Sequence, residues 1–240
     1  MKRLDVTLST PALNLACDEA LLDYCEHDSG HEFLRFWEPA EPFAVLGYSN
    51  KFHDEINEES CQKENVPVLR RCSGGGCVLQ SPGCLNYALI LRIGGDRPTQ
   101  TIGATNRFVM ERHRSVFERL LKQPVGVAGH TDLTVGNLKF SGNAQRRKKN
   151  CLLFHGTLLL AMNLELVERY LKLPKIQPSY RKNRPHSDFI TNVALGTDEV
   201  KEALAAEWEA RSGPDSPSTS WVESLAHRAL ESFGNARKEL

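Results

Sequence analysis

The sequence carries no excess charge of either sign, no long apolar run and no close cysteine pair. Over 240 residues, thirty Lys and Arg balance thirty Asp and Glu. That balance argues against a general nucleic-acid binder or a polybasic membrane protein, although a local patch can still hold an anion. The longest apolar stretches, such as Leu158-Leu159-Leu160-Ala161-Met162, fall far below the ~20 residues that cross a bilayer. Met1-Lys2-Arg3-Leu4-Asp5 breaks any apolar start, so no secretory signal is expected and the cytoplasm is the expected location. Seven cysteines, an odd number spread over the chain, do not form the pattern of a secreted disulfide framework. The absence of C-x-x-C removes the zinc-ribbon and thioredoxin readings. No repeat and no low-complexity tract occurs.

What remains is ordinary globular composition, 40% hydrophobic and 25% charged, in a chain long enough to bury roughly 70–75% of its unfolded surface. Thr10-Pro11 starts a capped helix carrying Leu13, Ala16, Ala20 and Leu21. Strands are expected at 33–37 and 43–47, parted by Pro39 and Pro42, then a short helix capped by Asp54 and running to about residue 63. A strand at 66–71 enters a glycine run, and 85–91 is a buried strand. The period of Phe108, Val109, Val116, Phe117, Leu120 and Leu121 predicts a helix over 105–121. Strands follow at 133–135, 138–140 and 152–160, the first two joined by Gly136-Asn137. Residues 145–150 read as a basic loop, 164–173 as a short helix stopped by Pro174, and 175–185 as a loop. Two helices close the chain, about 198–209 and 221–233, the second with Ser220-Trp221-Val222-Glu223 as a capping box. The class is α+β, or mixed-sheet α/β.

Three segments carry chemistry. Arg70-Arg71-Cys72-Ser73-Gly74-Gly75-Gly76-Cys77-Val78 lies between two expected strands. Three glycines let backbone N–H groups approach a ligand, and two arginines offer planar donors for phosphate or carboxylate. The alternative is a plain glycine turn with solvated arginines. The run matches neither the P-loop nor the Rossmann fingerprint. Lys139 sits on a strand leading into Ser141-Gly142, where small residues again allow close approach; a solvated charge is the plainer reading. His155-Gly156 interrupts an apolar strand, as a ligand contact or as a satisfied core histidine.

Taken in order, Arg-Arg-x-Ser-Gly-Gly-Gly, Asp-Leu-x-Val-x-x-x-Lys-x-Ser-Gly-x-Ala and His-Gly-Thr-Leu-Leu resemble the catalytic domain of lipoate–protein ligases, within the biotin/lipoate ligase superfamily. Asn14-Leu15-Ala16 with Glu19-Ala20-Leu21, Leu34-Arg35-Phe36-Trp37, Gly47 with Asn50, and 181–192 agree in order, so the likeness covers about residues 10–192. The resemblance implies a central mixed sheet flanked by helices over 1–192, with 193–240 as a helical extension packed on the same domain. It implies that lipoate or octanoate attacks the α-phosphate of ATP, and that a lysine of a lipoyl-domain protein then takes the acyl group from acyl-AMP. Acceptors of that kind are 2-oxoacid dehydrogenase subunits or the glycine cleavage H protein. By the same resemblance Arg71 and Gly74, Gly75, Gly76, Cys77, Val78 and Leu79 contact the nucleotide. Lys139 touches both acyl carboxylate and α-phosphate, offsetting charge that grows in the transition state. Ser141, Gly142, His155 and Gly156 line the pocket, Mg²⁺ bridges the phosphates, and Asp132 is a candidate metal or ribose contact.

Two departures stand out. Gln80 occupies a position where the ligases commonly have histidine, so no role for that imidazole carries over. The 48 residues after Asn192 are few for the accessory domain many of these ligases carry, which leaves room for a separate accessory polypeptide. The nearest rival is an ATP-independent octanoyl- or lipoyltransferase, whose thioester cysteine lies several residues before the Asp132 position. Residues 123–131 contain no cysteine, leaving Cys72, Cys77 and Cys151 as substitutes that are by default buried hydrophobes. A biotin ligase is disfavoured because no Gly-Arg-Gly-Arg loop occurs. An inactive lipoyl-binding homologue is the non-enzymatic alternative. The basic run Arg146-Arg147-Lys148-Lys149 is either a solvated turn or a rim that orders over the adenylate and meets an acidic acceptor.

Overall fold

In the computed structural model, residues 1–27, 30–214 and 216–232 are described. Strands β1 (Lys2–Asp5) and β2 (Phe33–Trp37), helix α1 (Pro11–His27) between them, and strand β3 (Phe43–Leu46) open the chain. Helices α2 (Phe52–Glu55) and α3 (Glu58–Lys63) lead to β4 (Val68–Arg70), β5 (Val78–Gln80) and β6 (Cys84–Arg92). Then come α4 (Ile102–Leu121), β7 (Gly126–Ala128), β8 (Asp132–Val135), β9 (Leu138–Arg147) and β10 (Cys151–Leu159). The chain continues through α5 (Glu165–Tyr170), a 3₁₀ turn at Ser179–Arg181, α6 (Thr197–Glu207) and α7 (Thr219–Ser232).

Seven strands form one sheet in the order β1-β2-β6-β10-β9-β8-β7, parallel at β1/β2 and antiparallel elsewhere. A second sheet has the order β4-β3-β5. Alternation along β6 shows how the layers assemble, because successive side chains leave opposite faces. Leu85, Tyr87, Leu89 and Leu91 join Val109, Met110, Val116 and Phe117 of α4 in one cluster. Ala88 and Ile90 join Leu13, Cys17, Leu21 and Leu22 of α1 in another. The late helices enter these same cores: Val200, Leu204 and Trp208 lie in the α4 cluster, and Val222 and Ala226 in the α1 cluster. No helix among the described residues is long and apolar enough to cross a membrane.

Three local expectations change. The helix expected from Asp54 divides in two, because Ile56 is fully buried and bridges Leu171, which takes it out of helical conformation. Helix α7 is capped by Ser218, whose Oγ accepts from Trp221 N–H at 3.2 Å, so Ser220 lies inside the first turn. The expected last residue, Phe233, lies outside the described residues. Half of the basic loop is strand: Gln145 to Arg147 belong to β9. Arg147 turns toward α4, donating to Thr105 Oγ1 at 3.1 Å and Thr99 O at 2.7 Å, and Lys148 pairs with Asp23 of α1. Arg146, also on β9, instead sits over the Tyr48 ring. These contacts tie Arg147 and Lys148 to helices rather than leaving a free cationic rim.

Two buried polar arrangements yield predictions. Asn143 pairs with Gly156 across β9 and β10, accepts from the Tyr87 hydroxyl at 2.5 Å and donates to Thr131 O at 2.6 Å. A Cβ on Gly156 would stand 1.7 Å from Asn143 Oδ1, so this glycine makes room for an amide of the protein itself. Gly156→Ala should therefore cost ~2 kcal/mol of stability through overpacking and broken hydrogen bonds. Urea unfolding checks it, and adding Asn143→Ala should cost less than the sum of the two changes.

His113 of α4 is fully buried, accepts from Trp208 Nε1–H at 2.9 Å and meets the Tyr87 ring edge-on at 4.8 Å. Burial, aided by Arg112, pushes its pKa down to about 3. Below pH ~6.5 the unfolded chain protonates this imidazole while the folded chain does not. Stability should therefore fall as pH drops from ~6.5 toward 3, by at most ~1.4 kcal/mol per pH unit from this group. Denaturation curves at pH 7 and pH 5 should show that difference in the wild type and a smaller one in His113→Gln.

Candidate active site

The glycine run connects β4 to β5 and leaves the small sheet toward the large one. Arg71 decides its shape. The guanidinium Nη2 donates to Gly74 O at 2.7 Å and to Gly76 O at 2.8 Å, and Nε donates to Ser73 Oγ at 3.1 Å. All peptides are trans, and the C=O and following N–H of a trans peptide point in opposite directions. Drawing the Gly74 and Gly76 carbonyls toward Arg71 therefore turns the N–H groups of Gly75 and Cys77 away from it. Gly75 has φ +90°, which favours glycine, and a Cβ there would press on Arg71 Nη2 at 3.1 Å. Gly47 allows the loop to seat, since a Cβ there would be 2.1 Å from Gly75 O. Arg70 points elsewhere, donating to the carbonyls of Gly47, Tyr48 and Asn50.

The loop is moored to the large sheet through Ser73, whose Oγ lies 2.6 Å from His155 Nε2 on β10. The other ring nitrogen of His155 faces Asp18 Oδ2 at 3.7 Å. Asp18 Oδ1 accepts from Arg35 at 2.6 Å, and both side chains are buried. Burial alone raises the Asp18 carboxyl pKa, but Arg35 and His155 outweigh it and hold the group below the usual carboxylate range.

Lys139 enters from β9. Leu133 pairs with Ser141 while Thr134 pairs with Lys139, so β9 carries an extra residue there, a bulge of the kind that re-aims a side chain. Lys139 N–H donates to Phe189 O and Lys139 O accepts from Thr191 N–H, both at 2.9 Å. Its ammonium curls back over Gly142, where a Cβ would meet Nζ at 2.7 Å. It pairs with Asp132 Oδ1 at 2.9 Å, and Asp132 Oδ2 accepts from the Tyr180 hydroxyl at 2.6 Å. Burial and the Asp132 charge push the Tyr180 pKa up, keeping the phenol a donor. Gly142 and Ala144 share one face of β9, ~7 Å apart, and a Cβ on Gly75 would lie 4.0 Å from Ala144 Cβ. The loop and the lysine thus meet over the same strand.

Of the residues singled out in the sequence, the structure brings together Arg71, Gly74, Gly75, Gly76 and His155 around one loop, with Lys139 and Gly142 on β9 and Asp132 on the adjacent β8. Val78 and Leu79 pair with β3, and the Leu79 side chain is buried in the core of the small sheet. Ser141 is buried beside Asn143. Gln80 is buried too, donating to Asn86 Oδ1 at 2.9 Å and Thr157 Oγ1 at 2.6 Å, so it is held by a closed polar network. Cys72 and Cys77 have pKa values pushed up to about 12 by burial, and burial also raises that of Cys151. Neither Asp18 nor Tyr180 was singled out beforehand, and Arg35 only as part of an ordered motif. The available signal was a charge inside the apolar strand Phe33–Trp37 and another on the buried face of α1, which demand a partner. Among the described residues no group of three or more His, Cys, Asp or Glu side chains could hold a metal ion.

The octanoyltransferase LipM of Clostridioides difficile is 31% identical over 195 residues, covering 72% of this chain and 69% of its own. Lipoate–protein ligase 1 of Staphylococcus aureus is 31% identical over 207 residues, covering 82% of this chain and 59% of its own. The chain thus spans only about half to three fifths of the length of the ligases it matches. A crystal structure of lipoate–protein ligase A bound with ATP superposes with TM-score 0.76 at 24% identity, covering 96% of this chain and 94% of the other. The family model for the lipoyl protein ligase A/B catalytic domain matches residues 10–209, and the chain belongs to that family.

Proposed function

We propose that the site joins a carboxylic acid to AMP at the expense of ATP and passes the acyl group to a protein lysine. The observation that carries this reading is the pair of N–H groups, Gly75 and Cys77, turned away from Arg71 in a loop that packs over β9, the strand on which Lys139 lies. Such a pair suits a phosphate oxygen, and an ammonium beside it suits the charge that builds when a carboxylate attacks phosphorus. Arg71 contributes by holding the loop as well as by its positive charge. Lipoate or octanoate is the acid, and the ATP-bound relative of the same fold supports the nucleotide.

The residues act in sequence. Lys139 exchanges Asp132 for the acid carboxylate and the α-phosphate, which brings the two reactants together and offsets their charge. The carboxylate oxygen bonds to the α-phosphorus as the bond to pyrophosphate breaks. A lysine amine of a lipoyl-domain acceptor then attacks the acyl carbonyl, and AMP leaves. Mg²⁺ that accompanies a nucleotide takes most of its ligands from phosphate and water. A site offering one carboxylate, Asp132, fits that mode, and the ion would neutralise phosphate charge. An accessory polypeptide remains part of this proposal. The octanoyltransferase relative raises the cysteine route, but 123–131 lacks a thiol. Cys72 and Cys77 are held protonated by burial.

Purified protein should therefore exchange labelled pyrophosphate into ATP only when lipoate or octanoate is present. Lys139→Ala should slow exchange about a hundredfold while changing stability by only ~1 kcal/mol, as for a partly exposed ion pair. Acyl transfer from an acyl carrier protein without ATP, through a trapped cysteine thioester, would replace this reading with the transferase.

A further inference from the structure

Arg35 and Asp18 lie deepest in the site, and the steps above use neither. Arg35 is 0% exposed in a strand whose other residues are Phe33, Leu34, Phe36 and Trp37. Its guanidinium also reaches Asn14 O at 2.9 Å and Asn14 Oδ1 at 2.6 Å, so the pair is fixed to α1. A buried ion pair is commonly no more stabilising than apolar residues of the same volume. Stability alone therefore does not account for its presence under His155.

Hydrogen-bond roles along the chain of contacts can be assigned one by one. A guanidinium only donates, so Ser73 Oγ accepts from Arg71 Nε at 3.1 Å. The Ser73 hydroxyl hydrogen remains free to donate, and His155 Nε2 lies within reach of it at 2.6 Å. With Nε2 as the acceptor, the ring hydrogen sits on Nδ1, facing Asp18 Oδ2 at 3.7 Å. An ionised carboxylate only accepts, so the charge of Asp18 favours this tautomer over the other, and Arg35 keeps Asp18 charged.

We propose that Asp18 and Arg35 are positioning residues: they hold His155 as the Nδ1–H tautomer, so that Nε2 receives the Ser73 hydroxyl and Ser73 in turn orients Arg71 over the Gly74 and Gly76 carbonyls. The pair thereby sets where the Gly75 and Cys77 N–H groups point, and its catalytic consequence rests on the function proposed above.

The test combines a ligand-free spectrum with kinetics. Imidazole nitrogen shifts of the ¹⁵N-labelled protein, with His155 assigned by its loss in His155→Gln, should show protonated Nδ1 and unprotonated Nε2. Replacing the pair with apolar residues, Asp18→Leu with Arg35→Met, should abolish that preference and raise KM for ATP about tenfold, as misplacement of a binding group does. KM for lipoate should change less than threefold. Ser73→Ala should reproduce the ATP defect alone and add less than twofold in the paired background, because residues acting as one unit are not additive. Should the paired variant fail to fold, Asp18→Asn gives the same spectral test. A wild-type Nε2–H tautomer, or effects that multiply, would overturn the proposal. Absence of exchange in the wild type would remove the proposed function instead, and the ligand-free spectrum would still decide the tautomer.

Discussion

One guanidinium organises the site. Arg71 contacts Gly74 O, Gly76 O and Ser73 Oγ, and hydrogen bonds to a charged group contribute ~1.5–3 kcal/mol each. The trans peptide makes the consequence obligatory: what turns two carbonyls inward turns two N–H groups outward. Glycine is needed at position 75, where the backbone takes φ +90°; a Cβ on Gly74 or Gly76 would meet nothing within 4 Å. The outward N–H face of the loop, proposed above to take phosphate, is thus a product of an arginine on its other side.

The two sheets make that loop useful. The small sheet supplies the strands that launch and receive it, and Gly47 lets Gly75 O settle against its backbone. The large sheet supplies the opposing surface, where β9 and β10 place His155 under Ser73 and Ala144 under Gly75. Along β9 the bulge before Ser141 delivers Lys139, and Gly142 leaves space for its ammonium. In the absence of substrate that ammonium is neutralised by Asp132, which Tyr180 steadies. Under the proposed function, substrate anions compete with a partly exposed ion pair, and such pairs are weak enough to exchange.

Much of the architecture follows from periodicity. The α4 helix and the β6 and β10 strands are visible because each has an uninterrupted apolar pattern, and Gly136, at φ +57°, makes the expected tight turn between β8 and β9. The three chemical segments are visible for a different reason: glycine runs and lone charges in apolar strands are unusual, and their order is that of a known family. What sequence could not supply was direction. Arg71 reads as a donor to ligand, yet it donates to its own loop. Gly156 reads as a close approach, yet what approaches is Asn143. The basic run reads as a loop, yet Arg147 and Lys148 find acceptors on helices far away in sequence. The deciding partners lie three and five residues on for Arg71 and more than ten residues away in the other cases, and no local pattern encodes them.

The central claim is that the loop presents two particular amides to phosphate. It is tested most directly by amide ¹H–¹⁵N spectra recorded as ATP is added to the full chain. The account predicts that the Gly75 and Cys77 resonances shift most within the run, downfield as N–H groups bonded to phosphate do, with Gly74 and Gly76 moving less. Larger shifts at Gly74 and Gly76, or no shift anywhere in 73–77 while nucleotide binds, would contradict it.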